Sequence, residues 1–114
     1  MRDSAKAVVQ FSPRREPVEA ASDLEAYEDL IFEAIERLAR IEALTAGGRF
    51  PAVRRTAGDL AAIARRLGLP SLARVAADLA KTEDEHAAAA ISARLLRLGE
   101  SCVAAAIAPG PRFR

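Results

Sequence analysis

Few side chains in this 114-residue chain are of types that do chemistry. The one histidine, His86, follows Asp84 and Glu85, and the one cysteine is Cys102. A histidine can accept a phosphoryl group or bind a metal, and a cysteine thiolate can act as a nucleophile. The sequence holds no glycine-rich phosphate loop, no Cys/His ligand pair and no elbow serine. His86 is therefore the main candidate for a reactive group.

The surroundings of His86 favour an ordinary surface residue. Neighbouring side chains on a helix diverge by about 100°, so Asp84, Glu85 and His86 cannot converge on one metal ion. We predict an exposed histidine, with no metal, no cofactor and no enzymatic activity. Cys102 falls on an apolar helical stripe, which predicts a small buried hydrophobic residue. A lone cysteine also suits a reducing compartment.

A second candidate site lies in the stretch FPAVRRTAGDLAAIARRLGLP, residues 50–70. Gly58 falls in the middle of the charged side of this helix, where glycine costs about 1 kcal/mol relative to alanine. Small residues next to it predict a shallow notch, and two arginine pairs rim the notch. The predicted partner-binding face comprises Arg54, Arg55, Gly58, Asp59, Ala61, Ala62, Arg65 and Arg66.

Two interpretations of this face stay open. It is either a solvated helix surface or a docking face for an acidic partner, in which arginines pair with carboxylates. Nucleic acid is less favoured because no aromatic residues or extended basic track accompany the arginines.

Four helices must position these residues. We predict the first from Ser22, in the capping box SDLE, to Gly47-Gly48. The second runs from near Pro51 to Gly68, and the third begins at Pro70. The fourth follows a capping box at Thr82–Glu85 and ends near Ala108.

Apolar residues recur at three- and four-residue spacing in each helix, which predicts one buried face apiece. The predicted core positions, helix by helix, are Leu24, Tyr27, Ile31, Ile35 and Leu38; Val53, Thr56, Leu60, Ile63, Ala64 and Leu67; Leu72, Val75, Ala76 and Leu79; and two adjoining stripes of Ile91, Leu95, Leu98 and Cys102 and of Leu96, Val103 and Ile107.

Short connections between four helices favour an all-α fold, an antiparallel up-down four-helix bundle. Residues 21–108 would form the bundle. Residues 1–20, interrupted by Pro13 and Pro17, would form a poorly structured tail, and residues 109–114 a frayed end. Within the tail, Ala7–Phe11 is either a short strand or an apolar strip lying on the bundle.

Composition and charge agree with a small helical protein. Aromatic residues make up 4% of the chain and tryptophan is absent, which disfavours a sheet. The net charge is +1, yet residues 21–46 carry seven acids and two arginines, whereas residues 47–81 carry seven bases and two acids. Such a dipolar molecule can steer a charged partner onto one side.

No apolar run approaches the roughly 20 residues of a membrane span, and no secretory signal is evident, so we expect a soluble cytoplasmic protein.

The organisation resembles the histidine-containing phosphotransfer (HPt) domains of bacterial phosphorelays. The second main helix of that family reads roughly A-H-T-L-K-G-S-A-x-x-L-G, and the matching stretch here is AGDLAAIARRLG, residues 57–68. The following LGLPSLARVAADL and the preceding FPAVRRTA also resemble the family pattern. The resemblance covers residues 22–108, and it implies an HPt-like bundle that takes part in a two-component phosphorelay.

The departure from the family lies at the chemical positions. Alignment on the closing Leu-Gly places Gly58 where the family has its phosphoacceptor histidine, and Asp59 at the following threonine. Ala61 and Ala62 replace the lysine and the glycine, whereas Leu60 keeps the core leucine. Glycine has no nucleophile and alanine offers no ammonium to a transferring phosphoryl group, so we expect no phosphotransfer here.

The resemblance therefore implies a pseudo-HPt protein that docks on a response-regulator receiver domain or a histidine kinase without carrying phosphate. One alternative is a true phosphotransfer protein whose acceptor is displaced to His86. Another is a helical scaffold or dimerisation module unrelated to phosphorelays.

Overall fold

The computed structural model describes the backbone of residues 17–107 and the side chains of residues 23–107. Within that range the chain forms four helices and no strand: α1 (Pro17–Ala46), α2 (Phe50–Leu67), α3 (Pro70–Lys81) and α4 (Glu85–Ile107). Helix α1 packs against α2 and α4, and α3 packs against the same two helices. This arrangement is that of a helical bundle. The predicted all-α class is confirmed for the described residues.

Two glycines end α1 and α2 as predicted. Gly48 and Gly68 have φ angles of 72° and 75°, in the left-handed region that glycine adopts without steric penalty. After α1, the Arg49 amide donates to the Leu44 carbonyl at 2.9 Å; after α2, the Leu69 amide donates to the Ala64 carbonyl at 2.9 Å. These hydrogen bonds satisfy carbonyls that the helix end leaves without a partner. The turns between the first three helices are thus set by local sequence.

The core faces of α2 and α3 follow the predicted pattern. All six predicted positions of α2 are buried, and Phe50, Ala57 and Ala61 join them. In α3, Leu72, Ala76 and Leu79 are buried and Val75 is partly buried. The only hydroxyl on the α2 core face, that of Thr56, donates to the Ala52 carbonyl at 2.9 Å, so its burial leaves no unpaired donor.

The prediction that α1 begins at Ser22 is wrong. The helix already includes Pro17, a residue compatible with a first helical turn because the amide it lacks would have no partner there. Ser22 and Glu25 therefore lie inside the helix. Serine and glutamate also occur at interior helical positions, where they do not cap a helix end. Of the predicted tail, residues 17–20 are helical; residues 1–16, including Ala7–Phe11, lie outside the described part of the chain, as do residues 108–114.

The core face of α1 is also shifted from the prediction. Ile31 and Leu38 are buried, together with Ala34 and Ile41. The other three predicted positions are partly or largely exposed: Leu24 at 59%, Tyr27 at 38% and Ile35 at 40%. Periodicity shows that this stripe is apolar, but it does not show how far along α1 the neighbouring helices extend.

Helix α4 begins at a different cap from the one predicted. The Asp84 carboxylate accepts a hydrogen bond from the Ala87 amide at 3.0 Å, which is the N-cap interaction. Thr82 instead follows the end of α3 and donates its hydroxyl to the Asp78 carbonyl at 2.6 Å. The expected cap at Thr82 is therefore wrong, because two overlapping candidates compete and the aspartate lies next to the first helical residue.

The buried face of α4 lies between the two predicted stripes. Leu95 and Val103 are buried, whereas Ile91, Leu96, Leu98 and Cys102 are partly buried and Ile107 is exposed. The small residues Ala88, Ser92 and Gly99 complete the buried face. Cys102 therefore contacts the core edge but is not fully buried, contrary to the prediction.

Candidate functional site

The burial of one face of α2 turns the opposite face outward. Of the eight predicted face residues, six are exposed: Arg55, Gly58, Asp59, Ala62, Arg65 and Arg66. Arg54 is partly buried. Nine of the 18 residues of α2 are buried and fix this helix against the core. The exposed residues are therefore held on a rigid helix and not on a loop.

Ala61 is the exception, and its predicted place on this face is wrong. Its exposed fraction is 3%, and it belongs to the hydrophobic core. On an ideal wheel Ala61 lies about 60° from Gly58, at the boundary between the two faces, and a neighbouring helix covers that boundary. The surface between the arginines is therefore formed by Gly58 and Ala62 without Ala61.

Gly58 is not required by packing. A Cβ added at this position would meet no heavy atom within 4 Å. Gly58 is helical and its φ is not positive, so the backbone does not require glycine either. The position is therefore open to the β-carbon of a larger residue.

Four arginines surround this open position: Arg54 and Arg55 one turn before it, and Arg65 and Arg66 two turns after it. Within the described residues, no hydrogen bond or ion pair holds any of the four. Each guanidinium presents five N–H donors in a planar fork that matches a carboxylate or a phosphate. The face therefore offers guanidinium donors that can pair with carboxylates or phosphates, with the carboxylate of Asp59 beside them and no nucleophile at position 58 itself.

A further arginine, Arg37, lies on α1, which packs against α2. Arg37 is ten residues before Gly47 and Gly58 is ten residues after Gly48, so the two are equally far along the chain from the α1–α2 turn. The Arg37 side chain is 24% exposed; its Nη1 donates to Glu36 at 2.8 Å, and its buried Nε has no partner.

The other candidate reactive groups lie apart from α2. His86 is exposed in the first turn of α4, two residues after the Asp84 cap. Among the described residues no cluster of three His, Cys, Asp or Glu side chains could hold a metal ion. In the same part of the chain, no helix combines the length and the apolar character that a membrane span requires.

Comparisons of the chain with models of known protein families, with curated proteins and with solved structures find no match.

Proposed function

We propose that this protein is a pseudo-HPt signalling protein, which docks through the α2 arginine face on a response-regulator receiver domain or a histidine kinase and carries no phosphate. The observation that carries the proposal is the set of four arginines around the open position of Gly58, none of which has a hydrogen-bond or ion-pair partner among the described residues. The resembled family uses the equivalent surface to meet receiver domains, whose phosphorylation pocket is lined with acids.

The fold supports the same proposal at the level of topology. Connections of three residues between α1 and α2 and of two between α2 and α3 favour an up-down arrangement. The family pattern from Phe50 to Leu79 coincides with two described helices, α2 and most of α3, and its core leucine at Leu60 is fully buried. An HPt-like bundle would then present residue 58 in mid-helix, where a partner's loops can reach it.

Docking here would modulate signalling by occupancy. Arginines that approach a carboxylate or a phosphoaspartate form charge-assisted hydrogen bonds, and loss of the solvent around them strengthens the attraction. With glycine at position 58, no atom is present to attack the phosphoryl group. The bound protein would therefore compete with a phosphate-carrying partner or hold the receiver domain in one state.

One second candidate has an observation in its favour. His86 is exposed, as a displaced phosphoacceptor would need to be. However, it lies at the N-terminal end of α4, beside Asp84 and Glu85, whose charges oppose the approach of a phosphoryl group. The scaffold alternative would be favoured by burial of Arg54 and Arg65, whereas Arg65 is exposed and Arg54 only partly buried.

The proposal is tested by incubating the full chain with a panel of receiver domains phosphorylated with labelled phosphate, and measuring both complex formation and label on this protein. We expect a complex with at least one receiver domain and no transfer of label. Matched samples of the His86→Ala variant identify the acceptor if any label appears.

Acid-labile phosphate that is lost in His86→Ala would contradict the proposal and establish the displaced-acceptor alternative. Absence of both binding and transfer across the panel would also contradict it and leave the scaffold alternative.

A further inference from the structure

The four arginines of α2 belong to two parallel rows. Residues at positions i, i+4 and i+11 of a helix lie within about 40° of one another around its axis, so each such set follows one line along the helix. The first set, called the Gly58 row, comprises Arg54, Gly58 and Arg65. The second set, called the Asp59 row, comprises Arg55, Asp59 and Arg66. Each row therefore begins and ends with an arginine, and the rows differ in the residue between.

The first difference between the rows is one negative charge. Asp59 is the only acidic residue of α2 and lies one turn after Arg55. Its side chain is exposed and has no hydrogen-bond or ion-pair partner among the described residues. An anion that approaches Arg55 therefore meets a carboxylate within one helical turn, and the two like charges repel each other. The Gly58 row contains no acid.

The second difference between the rows is exposure. All three residues of the Asp59 row are exposed, whereas Arg54 is partly buried. Ala61, which precedes Arg65 by one turn, is only 3% exposed, so a neighbouring helix borders the Gly58 row. Partial burial restricts the rotamers of Arg54, so less side-chain entropy remains to be lost when its guanidinium binds an anion. The Gly58 row is thus the more restrained of the two.

The third difference is the space that glycine leaves. A Cβ added at Gly58 would meet no heavy atom within 4 Å, so no neighbouring side chain covers this position. Arg54 lies one turn before Gly58 and Arg65 two turns after it. Side chains on a helix lean toward its N-terminus, so Arg65 leans toward Gly58. An oxyanion can therefore approach the backbone at Gly58 with an arginine on each side of it along the row.

We propose that the Gly58 row is the anion-binding row of the α2 arginine face, and that Asp59 confines an acidic partner to it. The partner is the acidic phosphorylation pocket of a receiver domain, so its identity rests on the proposed function, whereas the choice between the two rows does not. Charge-assisted hydrogen bonds from Arg54 and Arg65 hold the partner's acids along the Gly58 row. Asp59 specifies this orientation because it repels acids that lie along Arg55 and Arg66.

The choice between the rows is tested by NMR of the arginine Nε–Hε groups of the full chain, titrated with inorganic phosphate at constant ionic strength and pH. We expect the Arg54 and Arg65 signals to shift at least about twice as far as those of Arg55 and Arg66. In the Asp59→Asn variant we expect this difference to shrink, because the repelling charge is gone. Equal shifts in both rows of the wild type, or larger shifts in the Asp59 row, would overturn the proposal.

The partner is tested by isothermal titration of receiver domains into two charge-matched variants. We expect Arg54→Ala plus Arg65→Ala to weaken binding at least about 30-fold, and Arg55→Ala plus Arg66→Ala by no more than about threefold. Asp59→Asn should strengthen binding by about threefold.

Circular dichroism checks the helix content of each variant. Because Arg54 is partly buried, Arg65→Ala alone against Arg66→Ala alone repeats the comparison at exposed positions. Equal weakening by the two rows, or weaker binding of Asp59→Asn, would overturn the proposal. Phosphate-induced shifts confined to the Gly58 row, with no receiver domain bound, would contradict the proposed function and support the choice of row.

Discussion

At the scale of single residues, the glycines of this chain fall into different physical classes. Gly48 and Gly68 adopt positive φ at helix ends, and buried Gly99 allows Leu38 to approach closely. Gly58 has neither role, because it is helical and a Cβ there meets only open space. Neither packing nor backbone conformation therefore requires a glycine at position 58.

This difference predicts opposite effects for two alanine substitutions. Gly58→Ala should raise the free energy of unfolding by about 1 kcal/mol, because alanine restricts the unfolded chain and clashes with nothing. Gly99→Ala gains the same helix propensity, but its new methyl group must displace the Leu38 methyl groups at a cost of about 1–3 kcal/mol, so we expect it to lower the free energy of unfolding by up to about 2 kcal/mol. Urea denaturation of the two variants and the wild type measures both changes. Destabilisation by Gly58→Ala would show that the glycine is structurally required.

The open space at position 58 also admits an imidazole. If a receiver domain docks on this face in the manner of the resembled family, Gly58→His should accept the phosphoryl group from a phosphorylated receiver domain that binds the wild type. Transfer should be slow, because no lysine stands at the family's lysine position, which is occupied by Ala61. The measurement is acid-labile label on the variant, with wild type as the control. A variant that folds and binds but never takes up label would contradict the placement of residue 58 at the partner's phosphorylation pocket.

At the scale of elements, helix ends are set by single side chains. Asp84 caps α4 through the Ala87 amide, whereas Thr82 interacts with α3. Asp84→Ala should therefore cost about 1 kcal/mol of stability, while Thr82→Ala should cost less, since it removes no N-cap interaction. Thermal or urea unfolding of the pair compares them directly. An equal or larger loss of stability in Thr82→Ala would indicate that Thr82, as the sequence pattern predicted, caps α4.

The sequence predicted the parts of the fold that depend on local signals. The bounds of α2, its core face and the glycine ends follow from period and turn chemistry, and they are confirmed. The start of α1, the exposure of Leu24 and Tyr27, and the burial of Ala61 depend on where neighbouring helices lie. A helical wheel contains no information about those neighbours, so these features became visible only in the assembled bundle.

The candidate site also combines positions that local sequence predicts with features that depend on neighbouring helices. The outward direction of Gly58, Arg55 and Arg65 follows from the burial of the α2 core face, and these positions are confirmed as exposed. The burial of Ala61 comes from a neighbouring helix, and no periodicity within α2 predicts it. What binds at the face stays a prediction, since it concerns a partner's surface.

At the scale of the whole molecule, two surfaces of different chemistry lie on different helices. The exposed side of α2 is rich in arginine, whereas the groove between α1 and α4 is lined mainly by apolar side chains.

The central claim, that the α2 arginine face recognises an acidic partner, is tested most directly by isothermal titration of a receiver domain into three forms of the full chain. The forms are wild type, Arg54→Glu plus Arg65→Glu, and the charge-matched control Arg74→Glu plus Arg94→Glu, whose residues are exposed on α3 and α4. The account predicts that the face variant binds at least about 30-fold more weakly than wild type, roughly 2 kcal/mol. It also predicts that the Kd of the control stays within about threefold of the wild-type Kd. Charges distant from the contact affect binding only through the long-range electrostatic field, which salt screens. Equal weakening in both variants, or none in the face variant, would contradict the account.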